Sequence, residues 1–130
     1  MATDEPESGT EASVEPSRFA AGVEHFNSLR FWEAHEAWEE LWLVADGELV
    51  EFYQGLIQLA AAYHHMRRGT YRGAVRLFDA AWRRLKPYPA GFHGLDRDAA
   101  LEASHAHRTA AVNGIRLADS DYPKLTLAVD

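Results

Sequence analysis

The run Phe31-Trp32-Glu33-Ala34-His35-Glu36-Ala37-Trp38-Glu39 sets an imidazole and several carboxylates beside tryptophans, at positions a helix would otherwise use for packing. On a helix His35 and Glu39 lie one turn apart on one face, the spacing of two protein ligands to a divalent cation. Glu36, about 100° round the helix from His35, is available as a general base toward a metal-bound water. The chemistry such a set supplies is metal-assisted hydrolysis. It is only half of a site, because Glu39 stands where the zinc peptidases carry their second His. A third ligand has to come from another helix, and His64, on the apolar side of its helix near Tyr53 and Ile57, is the candidate. Gln54 lies on the polar side of the same helix, with Gln58 and His65.

The same residues admit two other readings. Half-buried histidines are commonly satisfied by a carboxylate or a carbonyl. His35 with Glu39, or His35 and His64 with Glu36, would then lock two helices together. Metal-free acid–base chemistry is the third reading. The helix face shared by Glu33, Glu36, Glu39 and Glu40 also reads as solvated surface, although Trp32 and Leu43 flank Glu36 and argue against that there. Elsewhere the signals are thinner. Glu102-x-x-His105 has the spacing of a di-iron carboxylate site, which needs two copies where one is present. His93, between Gly91 and Gly94, is a supporting candidate, and His105 and His107 read as exposed helix residues. Arg67, Arg68, Arg72, Arg76, Arg83 and Arg84 form a basic stretch suited to phosphate or RNA, or to pairing with the Glu-rich helix or the acidic N-terminal residues.

The elements that must hold these groups are helices. Phe19, Val23 and Phe26 stripe a first helix that Pro16-Ser17 opens and Asn27-Ser28 ends. A second, from Phe31 to Val44, carries Phe31, Ala34, Trp38, Leu41 and Trp42 on one face. A third, from about Glu48 to Arg68, is apolar over most of its circumference and so is central, with Gly69 as its C-terminal cap. Tyr71, Val75, Phe78, Trp82 and Leu85 stripe a fourth, which stops before Pro87. Asp96 caps a fifth that runs to about Asn113. Leu125, Leu127 and Val129 alternate, which predicts an extended end over the core.

An offset of 40 residues superposes Ala20 on Ala60, His25 on His65, Ala34 on Ala74, Trp38 on Phe78 and Trp42 on Trp82. The first four helices therefore read as two copies of one hairpin. The second copy, Gly69-x-Tyr71-x-x-Ala74-x-x-x-Phe78-x-x-Ala81 with Pro87 following, resembles a tetratricopeptide repeat. Two copies make a marginal solenoid. The predicted fold is all-α, a compact bundle of about five helices built from two such hairpins plus a closing helix. Where the second copy has Val75, Arg76 and Asp79, the first has His35, Glu36 and Glu39.

Composition bounds the rest. The 130 residues suffice for one domain, and 47% apolar residues suffice for its core. Of the net charge of −7, residues 1–16 hold −5 and all the others −2. The expected organisation is a flexible acidic arm over 1–16, a helical domain over 17–118 and an extended segment over 119–130. A nearly neutral domain without a nucleic-acid motif is not expected to bind nucleic acid. The absence of cysteine excludes disulfides, thiolate nucleophiles and Cys-based metal sites. No signal peptide or membrane-length apolar run is read, so a cytoplasmic protein is expected.

Three motifs occur in order: Phe26-Asn27-x-x-x-Phe31-x-Glu33-Ala34-His35-Glu36-x-x-Glu39-x-x-Trp42, then Gln54-Gly55-Leu56-Ile57-x-Leu59-Ala60-Ala61-Ala62-x-His64, then Arg68-Gly69 with Gly94-Leu95-Asp96 further on. Together they resemble the domain of unknown function 309 family over about residues 19–100. The resemblance implies a small all-α bundle, sometimes labelled a predicted metal-dependent hydrolase, with no established reaction. The family's polar signature falls on His35, Glu36, Glu39, Gln54 and His64, which adds Gln54 as a supporting residue. The resulting expectation is a His/Glu site between the second and third helices. It has His35, Glu39 and His64 as ligands to a divalent metal (Zn, Mn or Fe), Glu36 as catalytic base and Gln54 behind them. The alternative is a non-catalytic helical interaction or self-association module, with a homo-oligomer or a protein partner and the His/Glu cluster as a structural lock.

Overall fold

The structure is a computed structural model that describes the backbone of residues 4–128 and the side chains of residues 16–128. Five helices are described: α1 (Asp4–Asn27), α2 (Phe31–Val44), α3 (Leu49–Arg68), α4 (Tyr71–Leu85) and α5 (Asp98–Val112). The predicted all-α bundle is what forms. The acidic arm predicted over residues 1–16 lies outside the described residues at 1–3 and at the side chains of 4–15. Pro16, predicted to open the first helix, sits inside α1 instead. It removes one backbone hydrogen bond from the helix without beginning it.

Each helix packs on its neighbours in sequence, and α3 is shared by α2 and α4. Its buried side chains Phe52, Tyr53, Leu56, Leu59, Tyr63 and Met66 fill the centre, as expected of a helix apolar on several sides. Two glycines set how closely helices approach. A Cβ on Gly22 would fall 2.1 Å from the Trp38 indole nitrogen, and one on Gly55 would fall 2.7 Å from Leu85 Cγ. The Trp38 Nε1–H donates to the Phe19 carbonyl at 3.2 Å, so the largest core side chain is tied to α1 where α1 has no side chain.

The hairpin joints repeat the 40-residue offset. α3 ends on Gly69 at φ 78°, with Thr70 N–H donating to the His65 carbonyl at 2.9 Å. α1 ends the same way on Leu29 at φ 63°, with Arg30 N–H donating to the His25 carbonyl at 2.8 Å. Both are left-handed caps of the Schellman type, and a leucine there carries backbone strain of about 1 kcal/mol. Of the extended segment predicted over 119–130, Asp119–Asp121 form a 3-10 turn instead, and the strand is confined to Thr126–Leu127. Leu125 is buried, and β2 (Thr126–Leu127) pairs antiparallel with β1 (Leu95–Asp96). The Asn27 side chain fastens it, accepting from Leu125 N–H and donating to Leu125 C=O, both at 2.8 Å. Val129 lies outside the described residues.

Candidate functional site

The first turn of α2 and the last turns of α3 meet around Trp32. Its indole is 46% exposed. On one side the His35 ring stacks on it, with centroids 4.4 Å apart and planes 11° from parallel. The His64 ring, arriving from α3, tilts against it at 5.1 Å. The two histidines predicted to converge do so, but on an aromatic ring. His35 is half-buried, and its Nδ1 is fully enclosed with no hydrogen-bond partner. The predicted lock, a carboxylate or carbonyl satisfying that nitrogen, is not formed among the described residues.

Glu36 and Glu39 are both exposed on the outer side of α2, and Gln54 is half-buried on α3. Trp32 and Leu43 were read as shielding Glu36. At 46% and 70% exposure they stand in solvent beside it, because the apolar stripe of α2 ends at Phe31, Ala34, Trp38 and Leu41. Among the described residues no three His, Asp or Glu side chains stand close enough to hold a metal ion. His35, Glu39 and His64 as placed therefore do not make a ligand set, and no step is derived through a metal.

Beside Trp32 opens a cleft of about 400 Å³, lined by Leu29, Arg30, Phe31, Trp32, Glu33, His64, Arg67 and Arg68. Its charge is mostly positive. Arg67 is held by Asp119 at 2.9 Å, and Arg30 donates to His25 Nδ1 at 3.1 Å. Arg68 makes no ion pair among the described residues. Burial lowers the pKa of His64 from its ordinary value, and the His65, Arg68 and His35 charges push it the same way against Glu33. The ring facing the cleft is accordingly biased toward its neutral, proton-accepting form. A larger recess of about 490 Å³ lies elsewhere, between Glu51, Arg83, Arg84, Pro87 and Tyr88. There the Arg84–Glu51 pair at 3.0 Å satisfies its own charge.

The other histidines sort differently from the sequence reading. His105 is exposed, as predicted, and its ring also lies 4.2 Å from that of Trp82. His107, predicted to be exposed, is buried and lies 2.6 Å from the Tyr63 hydroxyl. The apolar stripe of α5 consists mostly of alanines, so its buried side is not apparent from side-chain size. Burial raises the Tyr63 pKa and keeps that hydroxyl protonated, and it shares one hydrogen bond with His107 Nδ1. Burial also depresses His107, although Asp121 opposes the shift.

A depressed histidine in the folded state means that the unfolded chain takes up the proton first as pH falls. The stability from neutral His107 is complete above the ordinary value of 6.5 and is lost as pH falls through the lower folded value. His64 and His65 shift in the same direction, with burial as the leading cause. Urea midpoints measured between pH 7.5 and about 5 should therefore fall steadily. The fall should be shallower in His107→Gln, which keeps a hydrogen-bonding group but does not titrate. Parallel profiles would remove His107 from the account.

The sequence model of a family described as a domain of unknown function (DUF309) matches residues 19–77. That span runs from Phe19 in α1 to the middle of α4 and contains His35, Glu36, Glu39, Gln54 and His64. No curated protein and no solved structure matches the chain.

Proposed function

Residues 19–77 belong to the domain of unknown function 309 family, and from that premise we propose that the domain binds an anionic ligand in the Trp32 cleft and acts on it by acid–base chemistry. Arg30 and Arg68 meet the anion, neutral His64 accepts a proton, and His35 and Glu36 flank the ring that forms the cleft wall. The reaction class this set suits is hydrolysis, with His64 activating water. The divalent-metal version, with His35, Glu39 and His64 as ligands and Glu36 as base, requires a rearrangement that gathers Glu39 and His64 onto His35. No helix among the described residues is long and apolar enough to cross a membrane.

The observation that carries this reading is the enclosed His35 Nδ1 without a partner. A buried nitrogen left unpaired costs about 1–3 kcal/mol, and the matching position in the second hairpin is simply Val75. A role in binding or chemistry would explain a ring placed at such a cost without a structural bond.

The test is the pair His35→Phe and His35→Ala. Phenylalanine keeps the stack on Trp32 and removes the orphan nitrogen, so its unfolding free energy should equal or exceed wild type by up to about 1 kcal/mol. Alanine loses the stack and should fall by about 1 kcal/mol. A His35→Phe variant less stable than wild type by more than about 1 kcal/mol would return His35 to a structural role. In parallel, inorganic pyrophosphate should change the tryptophan fluorescence of wild type and not of Arg68→Ala. Calorimetric titration with Mn²⁺ should show no stoichiometric uptake. Uptake that disappears in His35→Phe would replace this reading by the metal one.

A further inference from the structure

The two hairpins carry opposite charges at equivalent outward positions. On α2, Glu33, Glu36, Glu39 and Glu40 are exposed together with Trp32 and Leu43, and that face contains no cation. Glu40 is paired with Arg18, whereas Glu33, Glu36 and Glu39 make no ion pair among the described residues. The 40-residue offset places Arg72, Arg76 and Arg83 of α4 where Trp32, Glu36 and Leu43 stand on α2, and these arginines are likewise exposed and unpaired. The carboxylate on that side of α4, Asp79, is neutralised by a two-pronged bond from Arg108 at 2.7 and 3.0 Å. The face of α2 is thus acidic and that of α4 basic.

Both faces are also unusually apolar for solvent. Leu43 and Val44 are 70% and 82% exposed at the end of α2, and Val112 and Ile115 are 59% and 55% exposed beyond α4. Between α4 and α5 a cleft of about 390 Å³ has Tyr71, Val75 and Val112 in its wall, with Arg72 and Arg76 at its rim. The cleft can take an apolar side chain, and its rim can take carboxylates one helical turn away. Leu43, flanked by Glu36, Glu39 and Glu40, presents that combination.

We propose that the protein self-associates by seating the acidic α2 face of one copy, with Leu43 as its apolar knob, on the basic α4–α5 cleft of a second copy. Charge selects this pairing, since α2 against α2 opposes carboxylates and α4 against α4 opposes guanidinium groups. Of the contacts these two faces allow, only the unlike one is complementary. The contact joins two different surfaces of one chain, so each copy presents both a donor and an acceptor face.

Sedimentation equilibrium of the full chain up to about 1 mM tests this directly. Wild type should associate, and raising the salt to about 0.5 M should weaken it. Leu43→Arg removes the knob and opposes the arginine rim, and Arg76→Glu opposes the α2 carboxylates. Both positions are exposed, and circular dichroism should show both variants folded. Each alone should associate at least about tenfold more weakly than wild type. A 1:1 mixture, in which the intact α2 face of one variant meets the intact α4 face of the other, should regain association. A wild type that stays monomeric would overturn the proposal. So would either variant associating normally, or a mixture no better than its components.

Discussion

Gly22→Ala should destabilise the protein by about 2 kcal/mol, although alanine is the better helix former by about 1 kcal/mol. The added methyl would lie 2.1, 2.5 and 2.6 Å from Nε1, Cε2 and Cδ1 of Trp38. That indole has nowhere to retreat. It is fully buried, its nitrogen is bonded to the Phe19 carbonyl, and the Phe19 and Phe26 rings pack on it at 6.4 and 6.2 Å. Overpacking and the loss of that hydrogen bond therefore outweigh the gain in propensity. Two companions make the argument specific. Gly73→Ala, also in a helix, meets nothing nearer than 3.6 Å, and should stabilise by about 0.5–1 kcal/mol. In a Trp38→Leu background the obstruction is gone, so adding Gly22→Ala should cost almost nothing. Trp38→Leu itself removes much of a core side chain and should cost about 3 kcal/mol. Urea unfolding of the two single variants and the double variant would show a coupling of about 2 kcal/mol, and additive values would sink the account.

Periodicity reports burial, and what depends on burial alone was legible in the sequence. The stripe Phe31, Ala34, Trp38, Leu41 is the buried face of α2, and the predicted limits of that helix hold. The Gly69 cap and the apolar breadth of α3 follow the same logic. Legibility stops where a property depends on how two helices are rotated against each other. His35 and His64 could be brought to one seam from sequence, but not the ring that both contact, because Trp32 falls outside the stripe of its own helix. The exposure of Glu36 has a related reason: neighbouring apolar residues shield a charge only if another element covers them, and Leu43 stays 70% exposed while His64 of α3 covers Trp32 only in part. Single long-range bonds leave no periodic trace at all. His107 was hidden in an alanine-rich helix, and Asn27, read as a helix end, turns out to hold residue 125. The candidate site was therefore half legible, in its residues and not in its arrangement.

Arg97→Met should cost about 2 kcal/mol, a large effect for a residue that sits between elements and follows no pattern. The chain leaves α4 at Leu85 and crosses to α5 through a short 3-10 turn (Phe92–Gly94) and β1, and carbonyls ahead of that turn draw on a side-chain donor. The Arg97 guanidinium, only 5% exposed, supplies it. One nitrogen donates to Leu85 C=O at 3.3 Å, to Pro89 C=O at 3.4 Å and, closest of all, to Tyr88 C=O. The other donates to the Asp98 carboxylate at 2.9 Å, in the first turn of α5. Methionine fills similar space but donates nothing, leaving Tyr88 C=O without its donor, while Leu85 and Pro89 C=O keep the Tyr88 and Phe92 N–H groups at 3.1 Å. Lysine keeps the charge but reaches as a point, without the planar fork that spans the loop and Asp98 together. It should recover less than half of the loss. Asp98→Asn separates the two contributions: the exposed carboxylate adds little, so that variant should lie within about 0.5 kcal/mol of wild type. Because the loop carries Phe92 and Leu95 onto the core, Arg97→Met should also speed amide exchange in the short β1–β2 ladder before α3 is affected. Exchange that accelerates evenly over the whole chain would mean that Arg97 supports the global fold and not this crossing.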